Sequence, residues 1–541
     1  MLKKVILFLV LVGMISSLYT GCGGGKIEES ADTTKLQSMA KIADTSSPES
    51  ETKSEITYKA ILRLGSNVAI EEPSLLDKLL KEKFNIVIDW DDIEQAEYDD
   101  KVRLLFTAGE IPDILFGIPN MLGKELAADG FMLPVDNYID SLPNYLKIWD
   151  DIPGGWDYVY SLNKNADGYL YYLPPKRIRV ASMSWIYRKG SFDDMGLSFP
   201  RTMDELYNVL KIIKQKYPDS IPIANRDGLG YLLRGFLYAY RVQPTVVSDD
   251  YVDVDTKKLV TFGSASDRFR EAIKMISRMY SEGLIDKEFP TSTQDQWREK
   301  HAAGKTYIEF TWGTLKDDIN KLVNGVDPNA NWVWSEDMIT AYPEQGYMYY
   351  REGATFGDVM MLTNKLPDEK LARILSYIDW SATDEGSDFL SWGAEGVTYE
   401  TVNGVRKFLP HMFTVNNPTG KNAMSYTRYW QDAIPKRARE AHLATGQGAV
   451  TYAVGDNFNG KEGYAFFDTI PWDMTVDEES RIKELTSSLR SIRDEYVLKF
   501  IMGQLNPADD KTWNDYINTL NKAGLEELSA LRTKLYDKLK K

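Results

Sequence analysis

Between Lys59 and Phe116 the sequence alternates between two hydrophobic periods, and that alternation limits the fold more than any other feature. Lys59–Leu64 (KAILRL) reads as a strand, and Leu75, Leu76, Leu79 and Leu80 recur at helical spacing. Phe84–Trp90 (FNIVIDW) reads as a second strand. Asp100–Ala108 (DKVRLLFTA) reads as a second helix, stopped by Gly109-Glu110-Ile111-Pro112, and Asp113–Phe116 as a third strand. Strands alternating with helices argue an α/β sheet with helices on its faces. In such sheets ligands sit at loops beyond the strand C-termini. That rule points to Ser66-Asn67 and to Phe116–Asn120.

A second stretch, Trp185–Tyr217, carries unusually clear punctuation. A β-type run, Met183–Tyr187, breaks at Lys189-Gly190-Ser191, and a small loop holds Asp193, Asp194 and Gly196. Pro200 precedes Thr202-x-x-Glu205, a capping box in which the hydroxyl accepts from an orphan N–H while the Glu carboxylate reaches back. Met203, Leu206, Leu210 and Ile213 then mark a helix that Tyr217-Pro218 ends.

With 541 residues the chain exceeds what one hydrophobic core spans, so two lobes or more are expected. A net charge of −16 argues against nucleic acid or an anionic membrane surface as partner, since both are bound through basic residues. The 13 Trp and 32 Tyr permit sugar-stacking platforms but equally serve cores and interfaces. Cys22 is the single cysteine, which excludes an intrachain disulfide, a catalytic thiol elsewhere and a cysteine-based metal site. His301, His411 and His442 lie far apart without H-E-x-x-H spacing, so a zinc site is not expected.

At the N-terminus, Lys3 and Lys4 precede the apolar run Val5–Val12, then small and polar residues up to Thr20-Gly21-Cys22. This reads as an export signal, the apolar run being shorter than the roughly 20 residues of a membrane span. Thr-Gly-Cys resembles the lipobox of bacterial lipoproteins, with Tyr19 where that pattern prefers Leu. The resemblance implies diacylation of Cys22, a plain secretory signal being the alternative. From there to about Glu55 the composition is polar with almost nothing to bury, as in a disordered tether.

Several segments together resemble the family 1 type of extracellular solute-binding proteins, lipid-anchored receptors of ABC importers that mostly serve oligosaccharides. They are L-L-F-T-A-G-E-I-P-D-I-L-F (Leu104–Phe116), D-G-F-M-L-P-V-D-N-Y-I (Asp129–Ile139) and G-Y-L-Y-Y-L-P (Gly168–Pro174). W-I-Y-R-K followed by D-x-M-G-L-x-x-P-x-T-x-D-E-L resembles the segment where such chains first leave the N-lobe. Gly304–Trp312 is similar to a strand-and-loop that carries a stacking aromatic, and Trp380–Tyr399 to a returning N-lobe segment. The resemblance implies a periplasmic-binding-protein-like α/β fold of two lobes with an interlobe cleft. Its expected layout is signal 1–21, tether 22–55, N-lobe 56–180, C-lobe 181–357, returning N-lobe segment 358–400 and C-lobe completion 401–541. The crossings are expected near 176–186, 352–360 and 396–404.

The contacts this implies are Asn67 and Phe116 from the N-lobe, Arg177 and Trp185 at the hinge, Trp312 from the C-lobe and Trp392 from the returning segment. Trp156, between Gly154-Gly155 and Asp157, is a further loop aromatic. Trp185 could equally be core, Trp312 could seal a strand end, and Arg177 could be paired structurally. The implied partners are an oligosaccharide, the importer's permease subunits and, through the N-terminal lipid only, the membrane. The chain is expected to be a monomer on the extracellular face of the cell membrane, with no nucleic acid, cofactor or metal.

Catalytic signatures are scarce. Gly455–Lys461 imitates a P-loop, but Glu462 stands where Mg²⁺ needs Ser or Thr. Asn163-x-Asn165-x-Asp167-Gly168 starts like an EF-hand, but Pro174 stands where the bidentate Glu belongs. A glycoside-active enzyme with paired carboxylates remains the rival reading, as does a lipoprotein for a non-sugar solute.

Overall fold

The structure is a computed structural model describing residues 54–540, apart from 65–67, 177–182, 227, 246, 350–357, 414–425, 429–438 and 445. Cys22 and the expected signal and tether lie outside the described residues.

In chain order, strand β1 (Ile56–Leu64) is followed by α1 (Leu75–Phe84), β2 (Ile86–Glu94), α2 (Tyr98–Ala108), β3 (Ile114–Pro119), α3 (Asn120–Ala128) and α4 (Gly155–Asn163). Beyond residue 182 come β4 (Met183–Arg188), α5 (Lys189–Asp194), α6 (Met203–Lys216), β5 (Ile221–Ile223) and α7 (Gly228–Ala239). Helix α8 (Asp267–Ser281), β6 (Thr306–Trp312) and β7 (Trp332–Trp334) follow. The chain continues through β8 (Asp358–Leu362), α9 (Asp368–Ser381), α10 (Asp384–Trp392) and the hairpin β9–β10 (Tyr399–Val402, Val405–Phe408). Toward the C-terminus lie α11 (Gly446–Phe458), α12 (Val476–Ile501), α13 (Asp510–Lys522) and α14 (Leu525–Leu539).

Two four-stranded sheets result, ordered β8-β3-β1-β2 and β5-β6-β4-β7. In the first, β1 runs parallel to β2 and β3, and β8 runs antiparallel to β3. In the second, β6 is parallel to β5 and antiparallel to β4. Both sheets are covered on both faces, as helix-flanked parallel strands require. Ala60, Leu62 and Phe116 pack with Trp149 and Ile374 on one face of the first sheet, while Ile61, Leu115 and Val359 pack with Tyr98 and Val102 on the other. Met183, Trp185, Ile308 and Phe310 face the large core of the second lobe, to which α12, α13 and α14 bring Leu489, Phe500, Tyr516 and Leu528.

Local chemistry sets the element ends. Ser74 caps α1 in a capping box with Asp77, and Asn85 ends that helix in the left-handed region at φ 50°. Phe84 therefore closes α1, and β2 starts two residues later than its apolar run suggests. Both halves of the Thr202–Glu205 box are present, each at 3.2 Å. The break at Lys189-Gly190-Ser191 is the abrupt start of α5, where the Gly190 N–H donates to the Ala330 carbonyl at 3.0 Å.

The chain's last passage between lobes departs from expectation. Residues 396–404 were expected to cross, with everything beyond 400 completing the second lobe. Instead Tyr399 and Phe408 of the hairpin pack with Ala441 on Trp392 of α10. Arg428 is bound by Glu72, Asp77 and Asp92, all from the first lobe. The second lobe resumes with Val454 and Phe458 of α11 in its core. The alternating pattern of the hairpin is a strand signal, but it cannot say which lobe the strands cover.

Gly190 shows how close the packing is. A Cβ there would lie 1.8 Å from the Asn329 carbonyl oxygen, which is backbone and cannot swing away. Gly190→Ala is expected to destabilise by about 2–3 kcal/mol, lowering the melting temperature by a few degrees in calorimetry. Gly325→Ala, whose Cβ meets nothing within 4 Å, is the matched control.

Candidate functional site

Both sheets turn loop-bearing edges toward the first two passages of the chain between lobes. The parallel strands of the first sheet end at Leu64, Glu94 and Pro119, and β8 enters at the same edge with Asp358 opposite Pro119. In the second sheet β4 begins at Met183 immediately after the first crossing, and its register partner is Trp312, the last residue of β6. Ser335 closes this edge: its N–H donates to the Trp185 carbonyl at 2.7 Å, and its own carbonyl accepts from Ser184 Oγ at 2.9 Å. Ligands of open α/β sheets occupy edges of this kind.

The expected contact residues fall into separate groups. Asn67 and Arg177 lie outside the described residues. Phe116 is only 5% exposed, its ring 5.2 Å from Trp90 inside the first lobe. Trp185 is only 1% exposed and meets Phe236 and Phe310 edge-to-face at 6.2 and 5.5 Å. Trp392 is buried between Tyr399 and Phe408. These three side chains serve packing. Alternation along the strands explains Trp185, which shares a face with Met183 and points into the core.

Trp156 and Trp312 are placed differently, and both remain half-buried. Trp156 opens α4 within an aromatic group of Tyr145, Trp149 and Tyr160. That group borders the exit from the first lobe, because Tyr145 Oη donates to the Pro174 carbonyl at 2.7 Å. Trp312 borders the entry to the second lobe, at the end of β6. One tryptophan thus precedes the first crossing along the chain, and the other pairs in register with the strand that follows it.

Beside Trp312 stands a group that the sequence reading missed. Arg234 of α7 donates from Nη1 to the Met183 sulfur at 2.7 Å, and its guanidinium lies 4.9 Å from the Tyr231 ring centroid. Arg226, in the loop after β5, approaches the same ring at 5.8 Å. The strand-terminus rule was not applied to that loop, because β5 has only three residues and gives almost no periodic signal.

On the first lobe, Arg428 stacks 4.6 Å from the Trp90 ring centroid, and the Trp90 indole N–H donates to Asp77 at 2.8 Å. Burial pushes the Asp92 and Glu72 carboxyls above their usual range, and the Arg428 charge opposes that shift. The cluster holds down a segment from far along the chain.

Two α/β lobes with a half-buried tryptophan in each have the anatomy of binding proteins that hold a solute between lobes. Residues 69–385 match the bacterial extracellular solute-binding protein family. The chain belongs to that family. It is 29% identical over 262 residues to the fructooligosaccharide ABC transporter substrate-binding protein FusA of Streptococcus pneumoniae, covering 44% of this chain and 46% of that protein. It is 22% identical over 517 residues to the lipoprotein LipO of Bacillus subtilis, covering 92% of this chain and 95% of the relative. The polygalacturonan/rhamnogalacturonan-binding protein YtcQ of the same organism is 23% identical over 73% of this chain and 74% of its own. In fold, the chain is similar to alginate-binding protein AlgQ2 without calcium ion, with TM-score 0.69, 20% identity and coverage of 90% and 99% of the two chains.

Charge also joins the lobes. Lys164, just after α4, donates to Asp473 at 2.8 Å, and Lys538 at the end of α14 holds the other oxygen at 2.5 Å. Nearby, burial pulls the Lys124 ammonium of α3 below its usual value, and Glu479 of α12 opposes that. The hydrogen bond from Lys164, then that from Lys538, holds the Asp473 carboxyl below its ordinary value of 3.8. A folded value below the unfolded one means the contribution is complete above the ordinary value and disappears as pH falls through the lower one. Asp473→Asn is therefore expected to lower the melting temperature at pH 7 by no more than about 2 °C, the pair being solvent-accessible. The difference from the unsubstituted protein should shrink as pH falls below 3.8, which calorimetry across that acid range checks.

Proposed function

We propose that this protein is the substrate-binding receptor of an ABC importer and captures an oligosaccharide between its lobes without converting it. The observation that carries this reading is Trp312, half-buried at the end of β6 opposite Met183, at the margin of the second lobe's core. A sugar ring stacks its C–H face on such a platform while its hydroxyls take hydrogen bonds from polar neighbours. Trp156 supplies the opposing aromatic from the first lobe. The names of relatives support the ligand class: fructooligosaccharide for FusA, polygalacturonan for YtcQ, melibiose, raffinose and stachyose for MelE. In this reading residues 1–21 are removed, Cys22 carries the lipid, residues 22–55 are the tether and the receptor works as a monomer at the extracellular face. Among the described residues no helix is long and apolar enough to cross a membrane.

The test is calorimetric titration with a panel of oligosaccharides, each assayed afterwards for breakdown. Binding of intact sugar is the expected result, and cleavage products would replace the receptor with an enzyme. Trp312→Ala should weaken binding by about tenfold or more, loss of a central aromatic anchor being worth upward of 1.4 kcal/mol, with little change in melting temperature. Trp185→Ala should show the reverse pattern, a loss of about 3–5 kcal/mol of stability. Expressed with its leader in a bacterium, the Cys22→Ala protein should leave the membrane fraction and appear in the soluble extracellular fraction. Unchanged membrane association would remove the lipid anchor from the proposal.

A further inference from the structure

The second lobe holds a cavity of about 490 Å³ that shares no residue with the edge carrying Trp312. That volume falls within the roughly 300–1,000 Å³ of small-molecule sites. Its walls are the first turn of α6, Tyr240 just after α7, the face of α8 turned away from the core, and Ala341–Pro343. Tyr240 is only 6% exposed, yet among the described residues its hydroxyl has no hydrogen-bond partner. A buried hydroxyl left in this state is costly unless something else satisfies it. Burial, then the Glu271 and Asp204 charges, push the phenol well above its usual value, so it stays protonated. Among the described residues no cation offsets those two charges at the hydroxyl. The Tyr342 ring stands edge-to-face to Tyr240 at 6.0 Å, and its hydroxyl donates to Glu271 Oε2. Glu271 Oε1 and the Asp204 carboxylate have no hydrogen bond or ion pair among the described residues. Arg278, at the cavity wall, is occupied by Glu282 at 3.3 Å and by the Tyr207 hydroxyl at 2.9 Å.

We propose that this cavity is a second ligand site, which takes a small molecule bearing a primary ammonium group, seated between Glu271, Asp204 and the Tyr240 hydroxyl with the Tyr342 ring as its wall. The site goes beyond the receptor reading and does not depend on it. An ammonium has three donors, and this end of the cavity offers three acceptors, two of them charged. The tyrosine rings add attraction for a cation through their faces. The field of the two carboxylates acts where water is largely excluded, so it is stronger than on the open surface. An anion would be repelled here. A neutral polyol would leave the charge of the carboxylates uncompensated. Lys274, one turn along α8 from Glu271, also lines the cavity and supplies a donor for hydroxyls on the rest of the ligand.

The experiment titrates the full folded chain with glucosamine, N-acetylglucosamine and glucose, which share a ring and differ in whether it carries an ammonium. Glucosamine is expected to bind about tenfold or more tighter than either neutral probe, and to weaken as salt is raised. Glu271→Gln removes the charge but keeps an acceptor for Tyr342, and should lower glucosamine affinity about tenfold. Tyr240→Phe should lower it similarly and leave the melting temperature unchanged, since the hydroxyl has no protein partner to lose. Neither substitution should alter oligosaccharide binding between the lobes. Trp312→Ala should leave glucosamine affinity as it was, which separates the two sites. Glucosamine binding that is absent, or no tighter than glucose, overturns the proposal. So does binding that survives both Glu271→Gln and Tyr240→Phe, or that Trp312→Ala abolishes.

Discussion

Strands that pair in parallel cannot be joined by a tight turn, and the organisation of this protein follows from that constraint. Each return from one strand to the next needs a crossover, so β1, β2 and β3 all end at the same edge and their connecting loops gather there. β8 then enters at that edge in the opposite direction, beside Pro119. The second sheet answers with its own edge, where β4 begins and β6 ends. Neither tryptophan at the first crossing needs a special local conformation to be there. Strand direction places Trp312, and the aromatic group around Tyr145 places Trp156.

What the sequence revealed was what is local. The Thr202–Glu205 box spans three residues and depends on nothing beyond them, so it was legible and both hydrogen bonds are present. The alternation from Lys59 to Phe116 was equally legible, because burying both faces of a sheet imposes a composition on every strand. Individual aromatics were not. A Trp suits a core, an interface or a sugar platform, and Phe116, Trp185 and Trp392 proved to be core while Trp312 stayed half-buried. Arg428 was beyond reach for another reason. Its hydrogen bond to Asp92 closes over 336 residues, and no spacing rule operates at that range. The loop carrying Arg226 went unnoticed because β5 is too short to announce itself.

Charge is used in two ways. Arg428 gathers Glu72, Asp77 and Asp92 onto one guanidinium and so fixes a distant segment to the first lobe. Asp473 does the converse, gathering Lys164 and Lys538 from different lobes onto one carboxylate. In the first arrangement the guanidinium itself is buried, and it acts as a clamp. The second is open to solvent, where an ion pair contributes little and can be exchanged for water as the lobes move.

The interleaving of the chain also sets an order of events during synthesis. The first lobe has three strands once Pro119 has been made, yet its fourth strand is encoded at Asp358–Leu362. At roughly 5–20 residues per second, β3 waits roughly ten to fifty seconds for its neighbour. Throughout that interval the β3 edge exposes unpaired backbone donors and acceptors. The nascent N-terminal half is thus an incomplete sheet by construction. It cannot reach its final form before Asp358–Leu362 has been made, long after its own first three strands.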